Sequence, residues 1–207
     1  MRWAAAVLTG LLTVAYPAAV YYGLTRWSAR GLGLVLLAVV VPLACVKAWG
    51  RSGEHLRVVL RMPFALALLA ALSAALDDPR FVLAMPVLVN LVFFVSFAGS
   101  LRGEVSMIER FARLQEPELS PAKVVYCRSV TVVWAGFTAA NASVTAALAV
   151  FGPVEWWALH TGLLAYVAMG ALFTVEYVYR KYRFRDYGAL PHDRLLALVF
   201  PPAPTER

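Results

Sequence analysis

Residues 81–101 read FVLAMPVLVNLVFFVSFAGSL, without a single charged side chain. A helix rising 1.5 Å per residue crosses the hydrocarbon layer in about 20 residues. This stretch therefore predicts one complete crossing, and the rest of the chain repeats the pattern on both sides of it. Toward the C-terminus, Ser129–Phe151 and Trp156–Tyr177 are two more apolar stretches of spanning length. Toward the N-terminus lie Val58–Leu76, Gly31–Gly50 and Trp3–Leu24. Arg61 trims the start of the third span in chain order. The first span is too long for the apolar region of a signal peptide, and no small-residue cleavage site follows it. The prediction is an all-α integral membrane protein, a six-helix transmembrane bundle.

Composition agrees. Of 207 residues, 61% are hydrophobic and only 15% charged, and mean hydropathy is +0.70. Soluble domains carry about 25% charged residues. A soluble fold of this length keeps too much exposed surface to hide so many apolar side chains. A soluble enzyme, a disordered chain and a disulfide-stapled secreted domain are excluded.

The net charge of +7 reports orientation more than a nucleic-acid partner. With six spans, 16 of the 19 Lys and Arg residues fall on one side, leaving Arg26, Arg30 and Arg80 on the other. The positive-inside rule then places both termini in the cytoplasm. Glu155-Trp156-Trp157 is expected at the outer headgroup layer, and Asp77-Asp78-Pro79 in a tight outer turn between spans 3 and 4. Glu176 and Arg180 are spaced for an i,i+4 pair. Cys45 and Cys127 lie near cytoplasmic ends, where a disulfide is not expected. No cofactor is implied, no metal-ligand spacing is present, and no nucleic-acid-reading motif accompanies the basic tail.

Polar groups within the spans are few. Asn90 and Asn141 lie near the centres of spans 4 and 5 and are placed to hydrogen-bond across an antiparallel pair. With Trp134 and Thr138 they form the candidate intramembrane polar cluster. It reads either as packing glue or as the lining of a ligand cavity. His160 reads as a satisfied or solvated interfacial histidine, with a base or ligand role as the alternative. No Asp, Glu, Lys or Arg lies at mid-depth, which argues against proton-coupled transport. Pro17, Pro42, Pro63 and Pro86 place one kink-prone position in each of the first four spans.

The loop 102–128 is the longest connection. Ser106-Met107-Ile108-Glu109 is a capping box opening a short amphipathic cytoplasmic helix, Met107–Leu114. That helix sets Met107, Ile108, Phe111 and Leu114 against Glu109, Arg110 and Arg113. Ser120-Pro121 reads as the start of the helix that becomes span 5. Glu109, Arg110, Arg113 and Arg128 are the candidate docking or anion-binding residues. Residues 1–181 form the membrane domain, and 182–207 a basic tail expected to be flexible and to meet anionic headgroups.

Several of these residues carry a family resemblance. They are Tyr16-Pro17, Pro86 through Asn90, Ser106 through Arg113, Tyr126-Cys127-Arg128 with Thr131 and Trp134, Asn141, and Tyr166 through Gly170 to Glu176. The chain resembles a family of small, uncharacterised bacterial inner-membrane proteins. Their genes accompany fatty-acid-synthase-like clusters, notably those for aryl polyene lipids. The resemblance covers nearly the whole chain, is densest over 86–141, and leaves out the tail after Arg185. It implies a setting in aryl polyene or acyl-lipid assembly at the inner membrane, with membrane lipid and acyl-carrier-dependent enzymes as partners. It implies no reaction. Three functions follow: a non-catalytic accessory subunit, a membrane-embedded lipid or polyene transferase, and a lipid carrier or flippase without proton coupling. The transferase would use Arg110, Arg113 and Arg128 for anionic groups and Glu109 as base, but no nucleophile or metal constellation supports it.

Overall fold

The computed structural model describes residues 19–49, 53–187 and 191–201, and every described element is helical. Most of the first expected span lies outside these residues, with Arg2, Tyr16 and Pro17. Gly50, Arg51 and Arg207 lie outside them too. The helices are α1 (19–26), α2 (Ala29–Ala48), α3 (Gly53–Leu76), α4 (Arg80–Leu83), α5 (Met85–Ser100), α6 (Met107–Arg113), α7 (Pro121–Phe151), α8 (Val154–Leu159), α9 (Ala165–Phe184) and α10 (Pro191–Val199).

Among the described residues, four stretches are long and apolar enough to cross a membrane: Ala29–Val46, Arg80–Ser100, Pro121–Phe151 and Val154–Phe184. Within α3, Leu60–Leu76 is a shorter apolar stretch, which includes Arg61 near its start. The chain divides into two compact units, Met1–Leu163 and Leu164–Arg207.

In the first unit α2 and α3 pack as an antiparallel pair. Their closeness depends on Gly33: a Cβ there would sit 2.6 Å from the Ala70 carbonyl oxygen and 2.8 Å from the Ala74 nitrogen. Polar groups tie one end. Ser28 caps α2 by accepting from Gly31 N–H at 3.2 Å. Asp77, at φ 53°, accepts from the Arg30 amide at 2.6 Å, so the α3 turn caps the start of α2 as well. Ser73 donates to the Asp78 carbonyl at 2.9 Å. The expected tight turn at Asp77-Asp78-Pro79 is thus a device for joining two helices.

The expected fourth span is broken in two at Ala84. Pro86 supplies no amide and its ring crowds the carbonyl four residues earlier, so the helix restarts with Pro86 in its first turn. At the break the Leu83 carbonyl accepts the Trp157 indole N–H at 3.2 Å. Trp157 is 0% exposed and Trp156 is 59% exposed. The tryptophan pair expected in the headgroup layer therefore splits, one ring facing out and one anchoring the core. That core gathers Val20, Leu32, Ala70, Val82, Leu83, Met85 and Trp157.

α7 runs 31 residues, about 46 Å at 1.5 Å per residue. It extends beyond the expected fifth span, starting at Ser120-Pro121 as the sequence predicts, with Ser120 accepting from Lys123 N–H at 3.4 Å. Its buried stripe, Thr131, Trp134, Thr138 and Thr145 among others, faces α5 and α6. After α8 the helix widens into a π-turn over His160–Leu164, a feature frequent at functional sites.

In the second unit α9 continues to Phe184 and ends on Arg185 in the left-handed region, φ 53°. The sequence takes 182–207 for a flexible tail. Within it, α10 carries a buried Asp193, which accepts from Lys181 Nζ at 3.0 Å and from the Tyr177 hydroxyl. The Tyr187 hydroxyl donates to the Phe200 carbonyl. Glu176 and Arg180 pair at 3.6 Å, as their spacing predicts.

Candidate functional site

The intramembrane cluster is a directed hydrogen-bond chain. Asn90 Nδ2 lies 2.8 Å from the Pro86 carbonyl, which can only accept. Asn90 Oδ1 must then accept, and Asn141 Nδ2 donates to it at 2.9 Å. This leaves Asn141 Oδ1 facing His160 Nε2 at 2.9 Å, so Nε2 carries the proton. In the neutral ring Nδ1 is then the acceptor. At these separations no water stands between the groups. The chain links α5, α7 and the π-turn.

The sequence places Asn90 and Asn141 to bond and reads His160 as a satisfied or solvated histidine, but it does not identify Asn141 as the partner of His160. The missed signal is register. The break at Gly152-Pro153 folds α8 back against α7, which brings His160 to Asn141. Trp134 and Thr138 share the buried face without joining the chain. Thr138 donates back to the Trp134 carbonyl at 2.9 Å. Trp134 stacks on Phe97, with ring centroids 6.2 Å apart. Thr145 Oγ1 is buried one turn beyond Asn141 without a hydrogen-bond partner.

The loop helix α6 buries its acid and exposes part of its apolar face. Glu109 is 3% exposed, whereas Phe111 is 56% and Leu114 82% exposed. The cause is the demand of the helix N-terminus for acceptors. The Ser106 amide donates to Glu109 at 3.4 Å, the Met107 amide to Ser100 Oγ at 2.9 Å, and the Ile108 amide to Thr131 Oγ1 at 3.3 Å. Side chains of α5 and α7 thus cap α6, and docking them turns Glu109 inward. The capping box is only half closed: Ser106 Oγ faces the N3 amide but is buried without a completed hydrogen bond.

Of the four candidate docking residues, three are engaged. Glu109 accepts from Arg113 Nη2 at 2.7 Å and Nε at 3.0 Å. Arg113 Nη1 also donates to the Pro117 carbonyl at 3.2 Å. Arg128 donates to the Leu101 carbonyl, and to the Gly103 carbonyl at 3.4 Å. It thereby satisfies orphan acceptors at the C-terminus of α5, where a cation also suits the helix dipole. Arg110 is exposed. Arg110, Phe111 and Leu114 are the side chains that α6 offers outward.

Among the described residues no group of three His, Cys, Asp or Glu side chains could hold a metal ion. Glu109 as a base would first have to leave Arg113 and the Ser106 amide. Comparison with protein-family models, curated proteins and solved structures gives no match.

Proposed function

We propose that this chain is a polytopic inner-membrane accessory protein. It presents α6 on the cytoplasmic face to acyl-carrier-dependent enzymes of aryl polyene or acyl-lipid assembly. In this reading the chain has six spans with both termini cytoplasmic, as its charge asymmetry favours. One observation carries the proposal. α6 is fixed to the bundle through its Met107 and Ile108 amides, while Arg110, Phe111 and Leu114 are exposed on it. A rigid helix with a cationic and aromatic outer face suits an acidic carrier protein. The family resemblance supplies the biosynthetic setting.

The test is lipid extraction from a deletion strain. Loss of the lipid product supports an assembly role, and mislocalised product points instead to a carrier. Unchanged amount and location would end the biosynthetic reading. In parallel, Arg110→Glu with Phe111→Ala is expected to abolish co-purification of the acyl carrier protein while leaving the membrane protein folded. A reporter fused after Arg207 should read cytoplasmic, and one inserted at Asp78 periplasmic.

A further inference from the structure

We propose that the C-terminal unit holds a site for one anionic glycerophospholipid. Its acyl chain lies along α9 and its phosphate meets Arg185. This inference is independent of the function proposed above.

The site is a groove of about 370 Å³ lined by Thr174, Val175, Val178, Tyr179, Tyr182 and Phe200. The groove follows α9 for about 12 Å, from Thr174 to Tyr182, along the last part of the apolar stretch Val154–Phe184. Lipid chains are the solvent there. At its deep end Thr174 donates its hydroxyl proton to the Gly170 carbonyl at 2.8 Å and so presents its methyl group without an open donor.

The shallow end is cationic. The Arg185 guanidinium lies 5.9 Å from the centroid of the Tyr182 ring and 6.0 Å from that of Phe200, two of the groove walls. Its Nε donates to the Tyr182 carbonyl at 3.0 Å and its Nη1 to the Pro201 carbonyl at 2.6 Å. Those bonds use two of its five N–H donors and hold the plane in place. A guanidinium fixed this way suits a phosphate, which it can meet bidentately. The neighbouring cations are differently employed. Lys181 is paired with Asp193, and Arg180 with Glu176. Arg185 has no carboxylate within ion-pair distance among the described residues. With Arg185 at its mouth, the groove favours a headgroup without a cation of its own.

Native mass spectrometry of the full chain in mild detergent with added phosphatidylglycerol tests this. The expected result is one retained phosphatidylglycerol per chain, with phosphatidylcholine retained less. Arg185→Gln is expected to weaken retention about fivefold. Val178→Trp fills the groove without touching charge and should weaken it as well, whereas Arg183→Gln, outside the groove, should have little effect. Helical content by circular dichroism verifies that each variant is folded. Equal losses for Arg183→Gln and Arg185→Gln, unchanged retention in Val178→Trp, or displacement of the lipid by inorganic phosphate would each overturn the proposal.

Discussion

The two antiparallel helix pairs of the first unit are held by opposite means. α2 and α3 approach because Gly33 leaves room for the Ala70–Ala74 backbone, and polar contacts join them at the Asp77–Ser73 end. α5 and α7 are linked at several heights: Arg128 on the Leu101 carbonyl, Phe97 against Trp134, and Asn141 on Asn90. In lipid, helices gain nothing by hiding apolar surface from each other. Close van der Waals contact and interhelical hydrogen bonds remain, and each pair emphasises one of them.

Substitutions can break this contrast. The largest effect is expected at Gly33→Leu. The side chain has no rotamer that avoids the α3 backbone, so the pair must separate, at a cost of about 3 kcal/mol. Thermal unfolding in detergent should show a large drop, and an unchanged transition would mean that the helices are not that close. Asn141→Leu should cost about 1–2 kcal/mol, because it strands both Asn90 Oδ1 and the His160 proton. If Asn141→Leu proved more damaging than Gly33→Leu, the contrast would be reversed.

Arg113→Met is expected to destabilise more than Glu109→Gln, since the first leaves a buried carboxylate without its cation. A difference of about 1 kcal/mol is expected, because Arg113 itself is partly solvated. Equal values would mean that Glu109 finds another donor. The smallest effect belongs to Ser73→Ala, about 1 kcal/mol for its buried hydroxyl. A spectroscopic check sharpens the polar pair without perturbing it: ¹⁵N-labelled His160 should report the Nε2–H tautomer when neutral. The opposite tautomer would require the whole amide chain to be reassigned.

What the sequence discloses and what it hides have physical reasons. Helix type and the starts of α6 and α7 were legible because Ser-x-x-Glu and Ser-Pro act locally, through amides one turn away. The Asn90–Asn141 contact was legible because a buried amide in lipid must find a partner. The break at Ala84 was only half visible: Pro86 marks a kink, but the acceptance of the Trp157 proton by Leu83 is a tertiary event. The face of α6 was legible only in part. Periodicity groups Phe111 and Leu114 on one side without saying whether it meets lipid or the bundle, and the burial of Glu109 follows from the docking of the α6 amides on two other helices. His160 depended on the register between α7 and α8, and α10 on a buried acid in a stretch that looks merely basic.

The amide chain has a further consequence. Its sense is fixed from the Pro86 carbonyl outward, so Asn141 is the link that gives His160 an oxygen. Replacing one nitrogen by oxygen, as Asn141→Asp does, would set an acid against an imidazole within the bilayer without changing side-chain shape. Such a pair can pass a proton between its members, which the native amide cannot do. A single heavy atom therefore separates an inert brace from a pair that can exchange a proton.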